Sequence, residues 1–198
     1  MLGGAVLEAG VSAGHDMTVL VRTPEKLKPC PASVRIVEGD VLTAQLESLV
    51  ADADAVIQSL GVGGKGDGKP TSVCTMGTRR LLVAIGDRDT RFVAVSNIGV
   101  DGSGTAMFRK LILPYFIKWL QPIIEDKTQM EQDLFASRIR WTAARFPALS
   151  EKPAKGGPRF SRTGEGLGFT LNLESAAQVL LWLATSNAYC GEAICISD

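Results

Sequence analysis

Short apolar, β-branched runs alternate along this chain with longer stretches whose apolar residues recur at helical spacing. The runs are Met17–Val21, Val34–Val37, Ala53–Leu60, Arg91–Ser96, Arg138–Arg145 and Glu192–Ile196. They show little alternation of apolar and polar positions, which suits strands covered on both faces of a parallel sheet. Between them, the spacing predicts helices over Gly4–Ala13, with Gly14 as a stop, over Leu42–Ala51, and over Val73–Ile85, closed by Gly86. A further helix is expected over Pro122–Ser137, with proline at its start, Glu125 and Asp126 in its first turn, and Ile124, Met130, Leu134 and Phe135 as apolar positions. The last is expected over Leu173–Thr185. Strand–helix alternation of this kind specifies an α/β fold, a doubly wound parallel sheet with right-handed crossovers.

Two segments break the rhythm. Gly61–Pro70 is too rich in glycine for a helix or a central strand, so it reads as a loop at the carboxyl end of a strand. Lys152–Gly168, rich in Gly, Pro and basic residues, reads as a second loop. No internal repeat and no linker separates two cores, so residues 1–198 are expected to form one domain. Within it, residues 101–121 form an apolar insertion or lid.

Composition narrows the chemistry. Hydrophobic residues at 45% and charged residues at 21% are ordinary globular usage, and 198 residues can bury a core without staples. Lys plus Arg and Asp plus Glu both total 21, so the basic excess of a nucleic-acid partner is missing. With His15 as the one histidine and four cysteines (Cys30, Cys74, Cys190, Cys195) in no C-x-x-C pair, no metal site is expected. The N-terminus lacks a basic n-region and carries Glu8 within its apolar run, which makes a poor signal peptide. The most apolar stretch, Met107–Ile124, is interrupted by Arg109, Lys110, Pro114, Lys118 and Pro122, so it is not read as transmembrane. Free thiols without an export signal point to a cytoplasmic protein.

Ligands of open α/β sheets bind beyond the carboxyl ends of the strands, so those positions hold the candidate site residues. Arg22 follows the first visible strand; it is either a surface arginine on a turn or a partner for a phosphate group. Asp40, followed by Val41, could accept hydrogen bonds from a ligand or cap the next helix. Leu60 and Gly61 end the third run, where a glycine permits close backbone approach or simply a turn. Ser96 ends the fourth, placed to hold a substrate carbonyl or to cap a turn.

Several landmarks then line up in order: Gly14-His15-Asp16, Thr18-Val19-Leu20-Val21-Arg22, Pro24-Glu25-Lys26-Leu27, Glu38-Gly39-Asp40-Val41, Asp54 through Gly61, Val93-Ala94-Val95-Ser96, Lys127 to Glu131, and Trp141 through Pro147. In this order and spacing the chain resembles the atypical short-chain dehydrogenases, the NAD(P)H-binding, NmrA-like or flavin/biliverdin-reductase-like group. The resemblance covers nearly the whole chain. It implies a Rossmann-like sheet ordered 3-2-1-4-5-6-7 and a cofactor, NADP(H) in preference to NAD(H), selected through Arg22. It also implies an adenine side lined by Asp40 and Val41, and a ribose–nicotinamide side lined by Leu60, Gly61 and Ser96. Gly3 fits the third glycine of the dinucleotide motif, whose task is close helix–sheet packing. The first strand and the two earlier glycines are not found, so the chain is expected to leave two strand edges unpaired. Lys127 falls where related reductases place a lysine that contacts the nicotinamide ribose or assists proton transfer; otherwise it is a solvated lysine pairing with Glu131. Arg145 falls near the cofactor, with Phe146 where proline is more usual.

The Tyr-x-x-x-Lys acid of ordinary short-chain dehydrogenases is not present: Tyr115 and Lys118 stand three apart, behind Pro114. Ser96 and Lys127 remain as the catalytic candidates. The resemblance therefore implies an NAD(P)H-dependent reductase acting on a small hydrophobic or flavin-like acceptor. Its alternatives are a non-catalytic NADP(H)-binding regulator or assembly factor, and a chain unable to bind cofactor. The apolar segment around Met107–Leu120 could roof a hydrophobic substrate pocket, pack internally, or form a membrane-surface contact or the subunit contact of a homo-oligomer.

Overall fold

The computed structural model describes residues 2–27, 31–62, 68–107, 110, 111, 115, 117–154 and 156–198, the side chain of Lys118 aside. Five helices and nine strands follow one another among them. The first half runs α1 (Leu2–Ser12), β1 (Thr18–Val21), β2 (Arg35–Glu38), α2 (Glu47–Val50), β3 (Ala55–Gln58) and α3 (Val73–Ile85). The second half runs β4 (Arg91–Asp101), α4 (Gln121–Ala136), β5 (Arg140–Phe146), β6 (Ala148–Ser150), β7 (Arg159–Ser161), β8 (Thr170–Asn172), α5 (Leu173–Ala184) and β9 (Glu192–Ser197).

The main sheet is ordered β3-β4-β5-β9-β7 and is parallel except for β7, which runs antiparallel to β9. β1 and β2 form a separate parallel pair, and β6 and β8 another. Strand β4 shows why the sheet sits where it does. Its successive side chains point to opposite faces. Val93 and Val95 enter one apolar cluster with Leu2 and Val6 of α1 and Leu180 and Leu183 of α5. Phe92 and Ala94 enter a second, with Leu81 and Ile85 of α3 and Met130 and Leu134 of α4. The sheet is thus covered on both faces, which explains the unbroken apolar runs of β4 and β5.

The expected order 3-2-1-4-5-6-7 can be followed through these strands. β2-β1 corresponds to its first two places and β3-β4-β5-β9 to its last four, and no described strand lies between β1 and β3. Neither strand finds a second partner there, and both are only partly buried, in contrast to β4.

Two expectations are corrected. The helix over Leu42–Ala51 shrinks to Glu47–Val50, because Asp40 Oδ1 accepts from Leu42 N at 2.8 Å and its carbonyl accepts from Thr43 and Ala44, so the chain turns first. Lys152–Gly168 is not all loop, since Arg159–Ser161 pairs with β9 as β7. Of the insertion at 101–121, residues 108, 109, 112–114 and 116 lie outside the described residues; Met107, Leu111 and Tyr115 are exposed. The glycine loop likewise falls outside them at 63–67, as does Cys30. Among the described residues no helix is long and apolar enough to cross a membrane.

Candidate functional site

The carboxyl tips of β2 and β3 meet above α3. A Cβ on Gly77 would lie 2.4 Å from Leu60 and 3.3 Å from Val41, so the expected adenine-side and ribose-side residues share one small neighbourhood. Arg22 is exposed just beyond β1, and Asp40 is half-buried, its carboxylate engaged with Leu42 N. On the other side of β3, the amino end of α1 comes so close that a Cβ on Gly3 would stand 3.0 Å from Ser59 Oγ. Above Gly4 and Gly61, by contrast, no atom of another described residue would lie within 4 Å of an added Cβ. Among the described residues, the amino end of α1 and the tip of β3 therefore present open, side-chain-free backbone.

Ser96 and Lys127 are placed differently. Both are buried, at 1% and 5% exposure. Ser96 Oγ donates to Glu131 Oε1 at 2.5 Å, and Lys127 Nζ donates to the Val95 carbonyl at 3.0 Å. Lys127 does not make the surface pair with Glu131 that its spacing allows. Glu131 instead holds Arg145, accepting from Nε at 3.0 and 3.2 Å and from Nη2 at 2.5 Å. Asp101 approaches the same Nη2 at 3.8 Å. Burial works against the Arg145 charge, but the Glu131 hydrogen bonds and charge outweigh it and hold the guanidinium above its ordinary value. Burial also pushes the Lys127 ammonium below its ordinary value, against the pull of Cys74, Asp126 and Glu131.

Beside Lys127, Asp126 reaches across to the start of α3, accepting from Cys74 N at 3.0 Å, Thr75 N at 2.9 Å and Thr75 Oγ1 at 2.7 Å. Asp126 and Glu131 were the residues least visible in the sequence as structural groups, since Asp126 sits in the charged run Glu125-Asp126-Lys127 and Glu131 between Met130 and Gln132 on a polar stretch. One signal could have found Glu131: Ile124, Lys127, Glu131 and Leu134 fall at three- and four-residue steps, so Lys127 and Glu131 share the apolar face of α4.

Cys74 supplies a pH test of this buried layer. Its thiol donates to the Leu60 carbonyl at 3.6 Å, and burial pushes it up to about 11 from 9.0. The folded protein then keeps a proton that the unfolded chain releases between pH 9 and 11, so this contribution is whole below 9 and is lost as pH rises through that window. Two units correspond to ~2–3 kcal/mol. Urea unfolding at pH 7.5 and 10.5 should show the stability gap between wild type and Cys74→Ala closing at the higher pH; a constant gap would contradict the assignment.

A cavity of about 360 Å³ opens at the carboxyl ends of β4 and β5. Its walls are the turn Asp101–Gly104, Arg145, and the loop Arg162–Glu165. Asp101 holds a left-handed backbone at φ 50°, and Gly164 at φ 82° packs so tightly that a Cβ there would lie 2.7 Å from Gly104 N. The two loops are thereby locked backbone to backbone, with Gly104 N donating to the Thr163 carbonyl at 2.8 Å.

A parallel sheet covered on both faces, with its open crevice at the strand tips, defines a Rossmann-like α/β protein. A family model described as NAD(P)H-binding matches residues 1–187, and the chain belongs to that family. Solved structures agree on the fold. A candidate NADH-flavin reductase of Streptococcus pneumoniae TIGR4 superposes with a TM-score of 0.79 at 17% identity, over 100% of this chain and 94% of its own. The oxidoreductase ylbE of Lactococcus lactis gives 0.78 at 17% identity, over 100% and 86%. A short-chain dehydrogenase/reductase of Veillonella parvula DSM 2008, in complex with NADP, gives 0.77 at 16% identity, over 100% and 90%.

Proposed function

We propose that the protein is an NADPH-dependent reductase of the atypical short-chain type that reduces a small-molecule acceptor. The observation that carries this reading is the pairing of open glycine backbone at the tip of β3 with an open polar cavity at the tips of β4 and β5. The first suits a dinucleotide and the second an acceptor. The open backbone at Gly4 and Gly61 fits the pyrophosphate, which needs close approach without side chains. Asp40, Val41 and Leu60 would line the adenosine side, and the exposed Arg22 would meet a 2′-phosphate. Bound there, the dinucleotide supplies hydride. Ser96 and Lys127, held under the strand tips, fix β4 to α4, while Arg145 faces the cavity and solvent provides the proton.

Replacing Arg22 tests the cofactor. Arg22→Ala should weaken NADPH binding ~10–100-fold, the scale of a lost charge-assisted phosphate contact, and leave NADH unchanged. Nucleotide fluorescence titration reads both, and equal weakening of the two would remove Arg22 from the 2′-phosphate. Binding of neither nucleotide at millimolar concentration would defeat the proposal.

A second reading is favoured by the burial of Ser96 and Lys127, which leaves neither hydroxyl nor ammonium at the surface: a non-catalytic NADP(H)-binding regulator. Oxidation of NADPH in a screen of flavins, quinones and carbonyl compounds decides between them. Turnover of any supports the reductase, and tight NADPH binding with silence across the screen supports the regulator.

A further inference from the structure

The cavity at the tips of β4 and β5 says more about the acceptor than the cofactor crevice does. Every described residue lining it is either glycine or polar. This departs from the apolar acceptor expected from the sequence, because apolar ligands are held by pockets lined mainly with hydrophobic side chains. The charges on the walls are also arranged in a particular way. Arg145 is neutralised by Glu131, which takes its Nε and Nη2, and Arg162 is neutralised by Glu192 at 2.7 Å. Asp101 lies no nearer than 3.8 Å to Arg145, and its side chain is 78% exposed. Glu165 adds a second carboxylate on the wall.

The two guanidiniums are thus already matched, and two further acidic residues, Asp101 and Glu165, line the same space. An anionic ligand would meet net repulsion there. A ligand with no polar groups would strip water from four charged side chains and return nothing, a costly exchange. A hydroxyl group, by contrast, both donates and accepts, so it can bond a carboxylate with its hydrogen and a guanidinium with its oxygen. Ser103, whose Oγ accepts from Gly99 N at 3.1 Å, adds a hydroxyl to the same wall.

We propose that this cavity is the acceptor subsite and that it selects neutral, hydroxyl-bearing carbonyl compounds, of the small aldose or ketose kind, over apolar or carboxylate-bearing ones. The proposal rests on the reductase reading above. In the step it implies, hydride adds to the carbonyl carbon as the C=O π bond breaks, a proton from water reaches the oxygen, the carbonyl becomes an alcohol, and NADPH becomes NADP⁺. A cavity at the lower end of the usual small-ligand range suits a compound of few carbons.

The test is NADPH oxidation with three matched probes: glyceraldehyde, propanal and glyoxylate. We expect kcat/KM for glyceraldehyde to exceed that of both others by about tenfold or more, the worth of one or two hydrogen bonds. Arg162→Ala, at an exposed position, should raise KM for glyceraldehyde about five- to tenfold with kcat little changed and leave propanal unaffected. Asp101→Asn keeps a residue tolerant of the left-handed backbone and should improve glyoxylate relative to glyceraldehyde. Equal or better use of propanal or glyoxylate by wild type, or no effect of Arg162→Ala on glyceraldehyde, overturns the proposal. NADPH titration in parallel keeps the two levels apart. Loss of NADPH binding defeats the reductase reading itself, whereas intact binding with turnover of quinones but not glyceraldehyde defeats only the choice of acceptor.

Discussion

Glu131→Ala should destabilise the protein by ~3–5 kcal/mol, the cost of stranding one member of a buried ion pair. The side chains of Arg145 and Glu131 are 5% and 3% exposed, and the carboxylate takes three hydrogen bonds from Arg145 besides that of Ser96. Without it, the carboxylate left to the guanidinium is that of Asp101, 3.8 Å away at the solvent edge. A loss of that size is a large share of a typical domain's ~5–15 kcal/mol, so the variant should melt well below the wild type. Urea unfolding followed by tryptophan fluorescence, to which the buried Trp141 contributes, measures it. Glu131→Gln should cost less, because the amide oxygen still accepts. The double replacement Glu131→Leu with Arg145→Met should recover most of the loss, since the cost lies in the unpaired charge and not in the missing contact. A double variant no better than Glu131→Ala would show that the pair stabilises through something other than mutual charge.

The same pair shows where sequence reading stops. Elements with a strong, local period were legible: Val73–Ile85 is α3 to the residue, and the runs expected from Arg91 and Arg138 hold the two most buried strands, β4 and β5. Each of these declares itself through residues three or four apart, or through an unbroken apolar run, and tertiary packing agrees with the local signal. Elements made by distant partners were not legible. β7 exists because Arg159–Ser161 pairs with β9, and β8 because Thr170–Asn172 pairs with β6; three residues apiece carry no period to read. At Leu42 a local hydrogen bond from its amide to Asp40 outcompeted the helix its neighbours suggested. The site divides in the same way. Strand-tip residues such as Arg22, Asp40 and Gly61 could be named, because in an open α/β sheet position along the strand implies place. The burial of Asp126, Lys127 and Glu131 was much fainter, marked only by the apolar-face spacing of the last two, because a charged residue on a helix is solvated in most proteins and the opposing surfaces of α3, β4 and β5 make these three interior. The polar cavity was also out of reach, since its two walls, at 101–104 and 162–165, lie far apart in sequence.

Asp126→Ala should cost ~3–4 kcal/mol, and the reason is a cap supplied from another helix. The first amides of α3 have no partners within the helix, and Ser72 at its N-cap makes no side-chain bond to them. Asp126, from α4, takes Cys74 N and Thr75 N with its two oxygens, as well as the hydroxyl of Thr75. Hydrogen bonds to a charged acceptor contribute ~1.5–3 kcal/mol each, a carboxylate at a helix amino end adds ~0.3–1 kcal/mol, and such terms sum to less than their total. Removal also buries donors with no acceptor, because Cys74 and Thr75 are 2% and 5% exposed. Asp126→Asn separates shape from charge. It retains one acceptor oxygen and loses the charge, so a cost of ~1–2 kcal/mol is expected, below that of alanine. Thr75→Val removes the hydroxyl alone, and in a double-mutant cycle with Asp126→Ala the coupling should be at least ~1 kcal/mol. Equilibrium urea unfolding of the four proteins supplies every leg. Additive losses would mean that the carboxylate and the hydroxyl act independently, and equal losses for Asn and Ala would mean that charge, not geometry, binds α3 to α4. The ordering expected from the distances is alanine worst, then asparagine, with the cycle clearly coupled.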